Sequence, residues 1–264
     1  MPWSRTQRIV RASLAAILAL AEASVAAVAE AAPLRISITE AWGPPFLLSQ
    51  TSPDAPRAGF IIDWYGALER ELGQPLALSY APPIRTKRRI RENLVDLRCF
   101  HSLEWDVEDD ASDYVELAQT GLVIEERLIG PSDARPVATL ADLDGRRIGT
   151  VLGYRYPLLE PAFAAGQARR EDALTELAAL QKQREGRTDF AVVRMSMFTW
   201  LQQLDSRWAG LSASPLVVAR TPLHCGVRRD GALSIERLAA AQRRMVASGE
   251  LDALLRRYGM ARVD

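Results

Sequence analysis

Runs that read as strands and runs that read as helices take turns from residue 34 to the C-terminus, and this alternation constrains the fold more than any other feature of the chain. A strand followed by a helix and then another strand returns to the same sheet as a parallel neighbour, so the pattern predicts an α/β fold with largely parallel sheets. Leu34-Arg35-Ile36-Ser37-Ile38-Thr39 alternates apolar and polar side chains with β-branched residues and predicts the first strand. A loop rich in Pro and aromatic residues follows over 40–56. Next come a helix over 64–72 closed by Gly73, a strand over 76–80, a very basic helix over 84–94 and a strand over 95–100. An acidic loop then reaches Asp113. Further strands are expected at 122–129, 147–150, 189–194, 216–219 and 223–227, and helices at 158–165, 172–185, 196–204, 233–247 and 251–258. Arg85, Lys87, Arg88, Arg89 and Arg91 are read as a solvated helix face, and Met197, Phe198 and Trp200 as core packing. Two segments echo each other: a helix, then Arg91-Glu92-Asn93-Leu94-Val95-Asp96 and a strand, and a helix, then Arg184-Glu185-Gly186-Arg187-Thr188-Asp189 and a strand. Such units, one in each half, are what two related lobes would give.

The charge is balanced, 33 basic against 33 acidic side chains, which removes the counterion-release term that drives nucleic-acid binding. At 48% hydrophobic the chain is too apolar for general disorder. Arg5, Arg8 and Arg11, the apolar stretch 12–21 and the small residues up to Ala29-Glu30-Ala31 predict a cleaved secretory signal over 1–31. The apolar stretch is about half the length of a membrane span. No Cys stands near the cleavage region, so a lipid anchor is not expected. In an exported protein the two cysteines, Cys99 and Cys225, favour a disulfide. Two buried thiols remain an alternative, as does a Cys2His2 zinc site with His101 and His224, although the short-range spacing of structural zinc ligands is missing.

In order and spacing the motifs resemble the family 3 extracellular solute-binding proteins of bacterial ABC importers, the polar amino acid-binding type. The resemblance is carried by Pro44-Pro45-Phe46 after the first strand, Gly59-Phe60-Ile61-Ile62-Asp63 with Glu71-Leu72-Gly73, and Asn93-Leu94-Val95-Asp96. It continues through Leu140-Ala141-Asp142-Leu143-Asp144-Gly145-Arg146-Arg147-Ile148-Gly149-Thr150, Gly153 and Gly186-Arg187-Thr188-Asp189-Phe190-Ala191-Val192-Val193. Cys225-Gly226-Val227-Arg228-Arg229, Ala247-Ser248-Gly249-Glu250-Leu251 and Arg257-Tyr258-Gly259 complete it. The resemblance implies the type II periplasmic binding protein fold: two α/β lobes with mostly parallel sheets, joined by two crossover strands, closing on a ligand about a hinge. Carried over, 33–120 plus 223–264 form lobe 1 and 121–222 lobe 2. It also implies that the strands bearing Cys99 and Cys225 lie side by side, which strengthens the disulfide.

The same resemblance predicts a ligand site, with departures. The family's carboxylate-clamping Arg would fall near Glu108, and its ammonium-holding Asp on Arg194. A standard amino acid pose is therefore disfavoured, because Arg194 meets an ammonium with like charge. Gly153 with the N–H groups of Tyr154 and Arg155 at a helix start, together with the Arg155 and Arg194 side chains, predicts an anion-binding arrangement. Trp42, Phe46, Phe100 and Trp105 are expected to line the cleft from lobe 1, and His101 to face either ligand or lobe interior. The expected function is capture of a small polar or anionic solute in the periplasm for an inner-membrane ABC permease. The binder is expected to be a monomer, without catalysis, metal or cofactor. Two alternatives are a cleft enzyme of the cyclohexadienyl dehydratase kind, with a carboxyl from Glu104, Asp106 or Glu108, and a sensing partner of a membrane receptor.

Overall fold

The computed structural model describes residues 31–48, 57–103, 113–260 and 262. Residues 1–30 of the segment expected to be a secretory signal lie outside them, as do Glu104, Trp105, Asp106 and Glu108. In chain order the elements are β1 (Leu34–Thr39), α1 (Phe60–Leu72), β2 (Leu76–Ala81), α2 (Pro83–Arg91), β3 (Leu97–His101) and β4 (Tyr114–Pro131). Then follow β5 (Arg147–Val151), α3 (Glu160–Ala164), β6 (Arg169–Ala173), α4 (Glu176–Arg184), β7 (Phe190–Arg194), α5 (Met195–Leu204), β8 (Leu211–Arg228), α6 (Ile235–Ala247) and α7 (Glu250–Arg257). β1 and β2 form a parallel pair, and the other strands run in the order β3-β8-β4-β7-β5-β6. Pairing is parallel between β5 and its neighbours β6 and β7, and antiparallel wherever β4 or β8 takes part.

The fold is α/β and two-lobed, and β4 and β8 explain how. One core is built on β1, α1, β3, α6 and α7 and takes Leu122 and Ile124 from β4 and Leu223 and Val227 from β8. Two further cores take Leu128, Ile129, Leu211 and Val218 from the same two strands and pack them against β5, β7, α4 and α5. Each 18-residue strand therefore runs from one hydrophobic core to another. The sequence suggests only 122–129 for β4 and splits β8 at Thr221-Pro222. Pro222 is tolerated within β8 as the partner of Val123, next to a register irregularity in β4 where the ladder is already interrupted. β6 has no counterpart among the expected strands, and the helix expected over 172–185 overlaps its last two residues. It is the last strand of the sheet, and Arg169, Glu171 and Asp172 are exposed there, as suits an edge.

The two echoed segments do one job twice. Asp96 accepts the backbone N–H of Arg35 at 2.9 Å and its guanidinium at 2.8 Å. Asp189 accepts the backbone N–H of Arg147 at 2.7 Å and its guanidinium at 3.3 Å. In each half the Asp before a strand is locked by the Arg that opens the neighbouring β-unit, and the hydrogen bonds from that Arg, helped by its charge, hold both Asp carboxyls below the usual range against the opposing effect of burial. Asn93 (φ 55°) and Gly186 (φ 72°) make the same left-handed turn ahead of these aspartates.

The loop after β1 is fixed by helix termination chemistry. The first amides of α1 have no partner inside the helix, and Phe60 N–H donates to the Pro45 carbonyl at 2.9 Å and Ile61 N–H to the Phe46 carbonyl at 3.1 Å. Gly59 makes that approach feasible: its φ is 124°, and a Cβ there would stand 2.5 Å from the Phe46 carbonyl oxygen. Gly59→Ala is expected to cost about 2 kcal/mol through the backbone conformation and the forced retreat of the loop. A denaturant midpoint unchanged from wild type would count against this.

Candidate functional site

The carboxyl ends of the parallel strands meet where crevices form in open α/β sheets, and the chain places a charged cluster there. Arg194 ends β7. Its Nε donates to Glu176 Oε2 at 2.6 Å, and Nη2 stands 2.5 Å from the same oxygen. Glu176 is the first residue of α4, where the amino-terminal dipole favours its ionised form. Both side chains are buried, 11% exposed for Arg194 and 5% for Glu176. Burial works against the charge on Arg194, and Glu176 more than offsets it, so the guanidinium is held above its ordinary range. Glu126, on β4, is the cross-strand partner of Arg194, so the two side chains share one face of the sheet. Burial and the charge of Glu176 push Glu126 up to about 7, with Arg194 opposing the shift.

The loop after β1 closes over this group. Arg194 Cζ lies 5.0 Å above the Trp42 ring and 5.7 Å from the Phe46 ring. Those rings pack against each other at 4.6 Å. A Cβ at Gly43 would lie 3.7 Å from Arg194 Nη2, so the backbone of the loop also covers the guanidinium. Arg194 thus joins elements of two cores, with cation–π contact on one side and an ion pair on the other. The Tyr154 phenol, after β5, feels the charges of Arg194, Glu176 and Glu126.

Of the residues expected to bind ligand, Trp42, Phe46 and Arg194 stand in contact, Tyr154 is 45% exposed, and the others are placed as follows. Phe100 does not line a cleft. It sits at a bulge in β3 with φ 59°, which turns its ring into the core, 3% exposed and edge-on to Phe46, Phe60, Trp64 and Tyr65. His101 faces its own lobe, where Nε2 is 3.0 Å from Glu116 Oε2 and the ring is 6.2 Å from that of His224. Arg98 Nη2 donates to the other oxygen of Glu116 at 2.6 Å. Trp105 lies outside the described residues.

The expected anion cradle is not present in the anticipated form. α3 starts at Glu160 and has five residues, so Gly153, Tyr154 and Arg155 precede no helix directly. Pro157 restricts the residue before it and Pro161 sits in the first turn, which delays the helix. Tyr154 N–H donates to the Val151 carbonyl at 3.1 Å, and Arg155 is exposed. Arg194, the remaining donor, is neutralised by Glu176. The missed residues are Glu126 and Glu176. Glu176 has a weak signal in sequence, a Thr175 N-cap before an acidic first turn; Glu126 has none, because register alone sets it opposite Arg194.

A disulfide joins Cys99 and Cys225, directly opposed on β3 and β8. With both thiols bonded, the zinc alternative has no thiolate ligands, and among the described residues no three His, Cys, Asp or Glu converge as a metal site.

Glu126 carries a pH effect. Between the ordinary carboxylate range and about 7 the folded protein keeps a proton that the unfolded chain has released, so stability falls as pH rises through that window and levels off above it. Glu126→Gln is expected to flatten this slope and gain about 2 kcal/mol at pH 8, with partial solvent access reducing the full value. Urea midpoints at pH 5 and 8 that move in parallel for both proteins would contradict the assignment.

No protein-family model matches the chain, and no curated protein matches it in sequence. Solved structures do match in fold. A histidine kinase sensor domain with similarity to periplasmic binding proteins superposes with a TM-score of 0.68 at 17% identity, covering 89% of this chain and 99% of that one. The GluR0 ligand-binding core from Nostoc punctiforme, in complex with L-glutamate, gives 0.64 at 13% identity, covering 86% and 99%. An ancestral cationic amino acid solute binding protein gives 0.66 at 17% identity, covering 86% and 95%. At these identities the likeness is one of fold, and the fold is that of the two-lobed type II periplasmic binding proteins.

Proposed function

We propose that this chain is a solute-binding protein of the family 3 type, which captures a small polar solute between lobes at 33–120 plus 223–264 and 121–222. The observation that carries the reading is the Arg194 cluster: charged groups from β4, α4 and β7, roofed by Trp42 and Phe46 from the loop after β1, at the carboxyl ends of the strands. Rigid lobes with polar groups converging on an apolar wall suit ligand capture with hinge closure. The reading assigns no preference for an anion, because Tyr154 N–H is bonded to the Val151 carbonyl and Arg194 to Glu176. With the leader expected over 1–31, this reading has the protein act in the periplasm, as a monomer that delivers its solute to an inner-membrane ABC permease. The reading assigns no catalysis; the carboxyls considered for it at 104, 106 and 108 lie outside the described residues. A sensing role is favoured by one observation, the fold likeness to a histidine kinase sensor domain.

The test is a melting screen of protein freed of ligand by unfolding and refolding, against amino acids, amines, dicarboxylates, sugars and phosphate esters. A true ligand at about a hundred times its dissociation constant stabilises by about 2.7 kcal/mol. A flat response to every solute class would overturn the reading.

A further inference from the structure

We propose that the outward face of α2 is a docking surface for an anionic phospholipid membrane. Along Pro83–Arg91 the exposed positions are 84, 85, 88 and 91 and the half-buried ones 86, 87, 89 and 90, so the helix divides by its own period into an outer and an inner face. The inner face is tied to the β1–β2 pair. Arg89 Nη1 donates to Ser79 Oγ on β2 at 2.9 Å, and Thr86 Oγ1 to the Ala81 carbonyl at 3.4 Å. The outer face presents Ile84, Arg85, Arg88 and Arg91, and Leu94 follows just beyond the end of the helix. Ile84 is 72% exposed and Leu94 48%, so a row of arginines is flanked at both ends by an apolar side chain in solvent.

Charge and composition together fit a lipid surface. The helix holds five basic residues and no acid, and Glu92 just after it offsets one of the five, in a chain whose bases and acids otherwise balance. Elsewhere exposed arginines stand against acids of neighbouring elements, as in Arg70–Glu250, Arg244–Glu71 and Arg257–Asp63; on α2, Arg88 meets Glu92 from its own segment. Helix stability does not account for the pattern, because Arg85 lies in the first turn, where the dipole favours an acid and none is present. Guanidinium groups grip phosphate oxygens two at a time, and apolar side chains beside them enter the boundary between headgroups and acyl chains. An acidic protein would answer the arginines alone, whereas a bilayer answers Ile84 and Leu94 as well. Each basic residue near an anionic surface strengthens partition about fivefold, so three arginines give a reversible, salt-sensitive attachment. It needs no solute, and it holds the protein at the surface in which the proposed permease lies.

The experiment is co-sedimentation of Pro33–Asp264, a compact unit without the apolar stretch near the N-terminus, with vesicles of phosphatidylcholine alone or with about one third phosphatidylglycerol. Binding is expected to the anionic vesicles, about tenfold weaker to the neutral ones, and lost in about 0.5 M NaCl. Arg85→Gln/Arg88→Gln/Arg91→Gln is expected to weaken anionic-vesicle binding by about tenfold or more with the melting temperature held, and Ile84→Ser/Leu94→Ser by about threefold. Arg187→Gln/Arg207→Gln/Arg220→Gln removes the same charge from exposed arginines elsewhere and is expected to leave binding unchanged. Equal losses in the two triple variants, equal binding to both vesicle types, or no effect of either α2 variant overturns the proposal. No binding to anionic vesicles overturns it too, and retention on immobilised polyglutamate in that case identifies the partner as an acidic protein. None of these results bears on solute capture, which the melting screen tests separately.

Discussion

Removing the Cys99–Cys225 bond by the double substitution Cys99→Ala/Cys225→Ala is expected to lower stability by about 4 kcal/mol. The bond joins residues 126 apart and so closes a long loop, which contains the whole segment from β4 to the middle of β8. Cross-linking a loop of that length restricts the unfolded chain by an amount near the upper end of the usual range for disulfides. The native state has little to lose otherwise, because β3 keeps its backbone pairing with β8 and the neighbouring side chains Leu97 and Val227 remain in the same core. For a chain of this size the melting temperature should fall by roughly 10 °C. Cys225 is fully buried, so a mild reductant should act slowly on the folded protein and quickly on the unfolded one. Thermal melts of the double variant and of wild type, each with and without reductant, provide the measurement. A loss below about 1 kcal/mol would contradict the loop argument.

Glu176→Gln is expected to cost about 3 kcal/mol or more and to be largely repaired by a second change, Arg194→Met. The Arg194 guanidinium is buried and directed at one carboxylate oxygen of Glu176, so loss of that charge removes its hydrogen-bonded counter-ion and leaves only the Glu126 carboxyl across the strand to balance it. The roof of Trp42 and Phe46 attracts the guanidinium but does not replace a counter-ion. In the double variant the methionine keeps contact with the two rings, and the remaining Glu126 carboxyl, which burial already favours in its neutral form, leaves no buried cation to satisfy. A double-mutant cycle in urea measures the coupling directly. If the two single losses simply add, the pair is not coupled and the cluster described above is wrong.

Much of the fold was legible because it rests on local signals. The alternation at Leu34–Thr39, the Gly73 terminus of α1 and the Asp96 and Asp189 units each carry their structural reason in adjacent residues. The length of β4 and β8 was not legible: only the partner strand shows that β4 reaches back to Tyr114 and that β8 runs on through Pro222. The site was half legible. Trp42, Phe46 and Arg194 stand at positions where a family resemblance points, whereas Glu126 reaches the cluster only through strand register. The family resemblance points Phe100 into the cleft, but it is a bulged residue with φ 59° whose ring turns into the core, a local backbone feature that a motif resemblance does not carry. The anion cradle failed on two prolines, Pro157 and Pro161, whose effect on the helix start outweighs the Gly153 turn.

The most direct test of solute capture between the lobes is a distance measurement by double electron–electron resonance. Labels go on cysteines introduced at Ile84 in α2, 72% exposed, and Leu174 before α4, 82% exposed, with the native disulfide intact. These sites lie on segments packed with different cores. With the solute identified by the melting screen at saturation, the distance between labels is expected to shorten and its distribution to narrow relative to the solute-free protein. An unchanged distribution at saturating solute would show that binding takes place without bringing the lobes together, and would contradict the account.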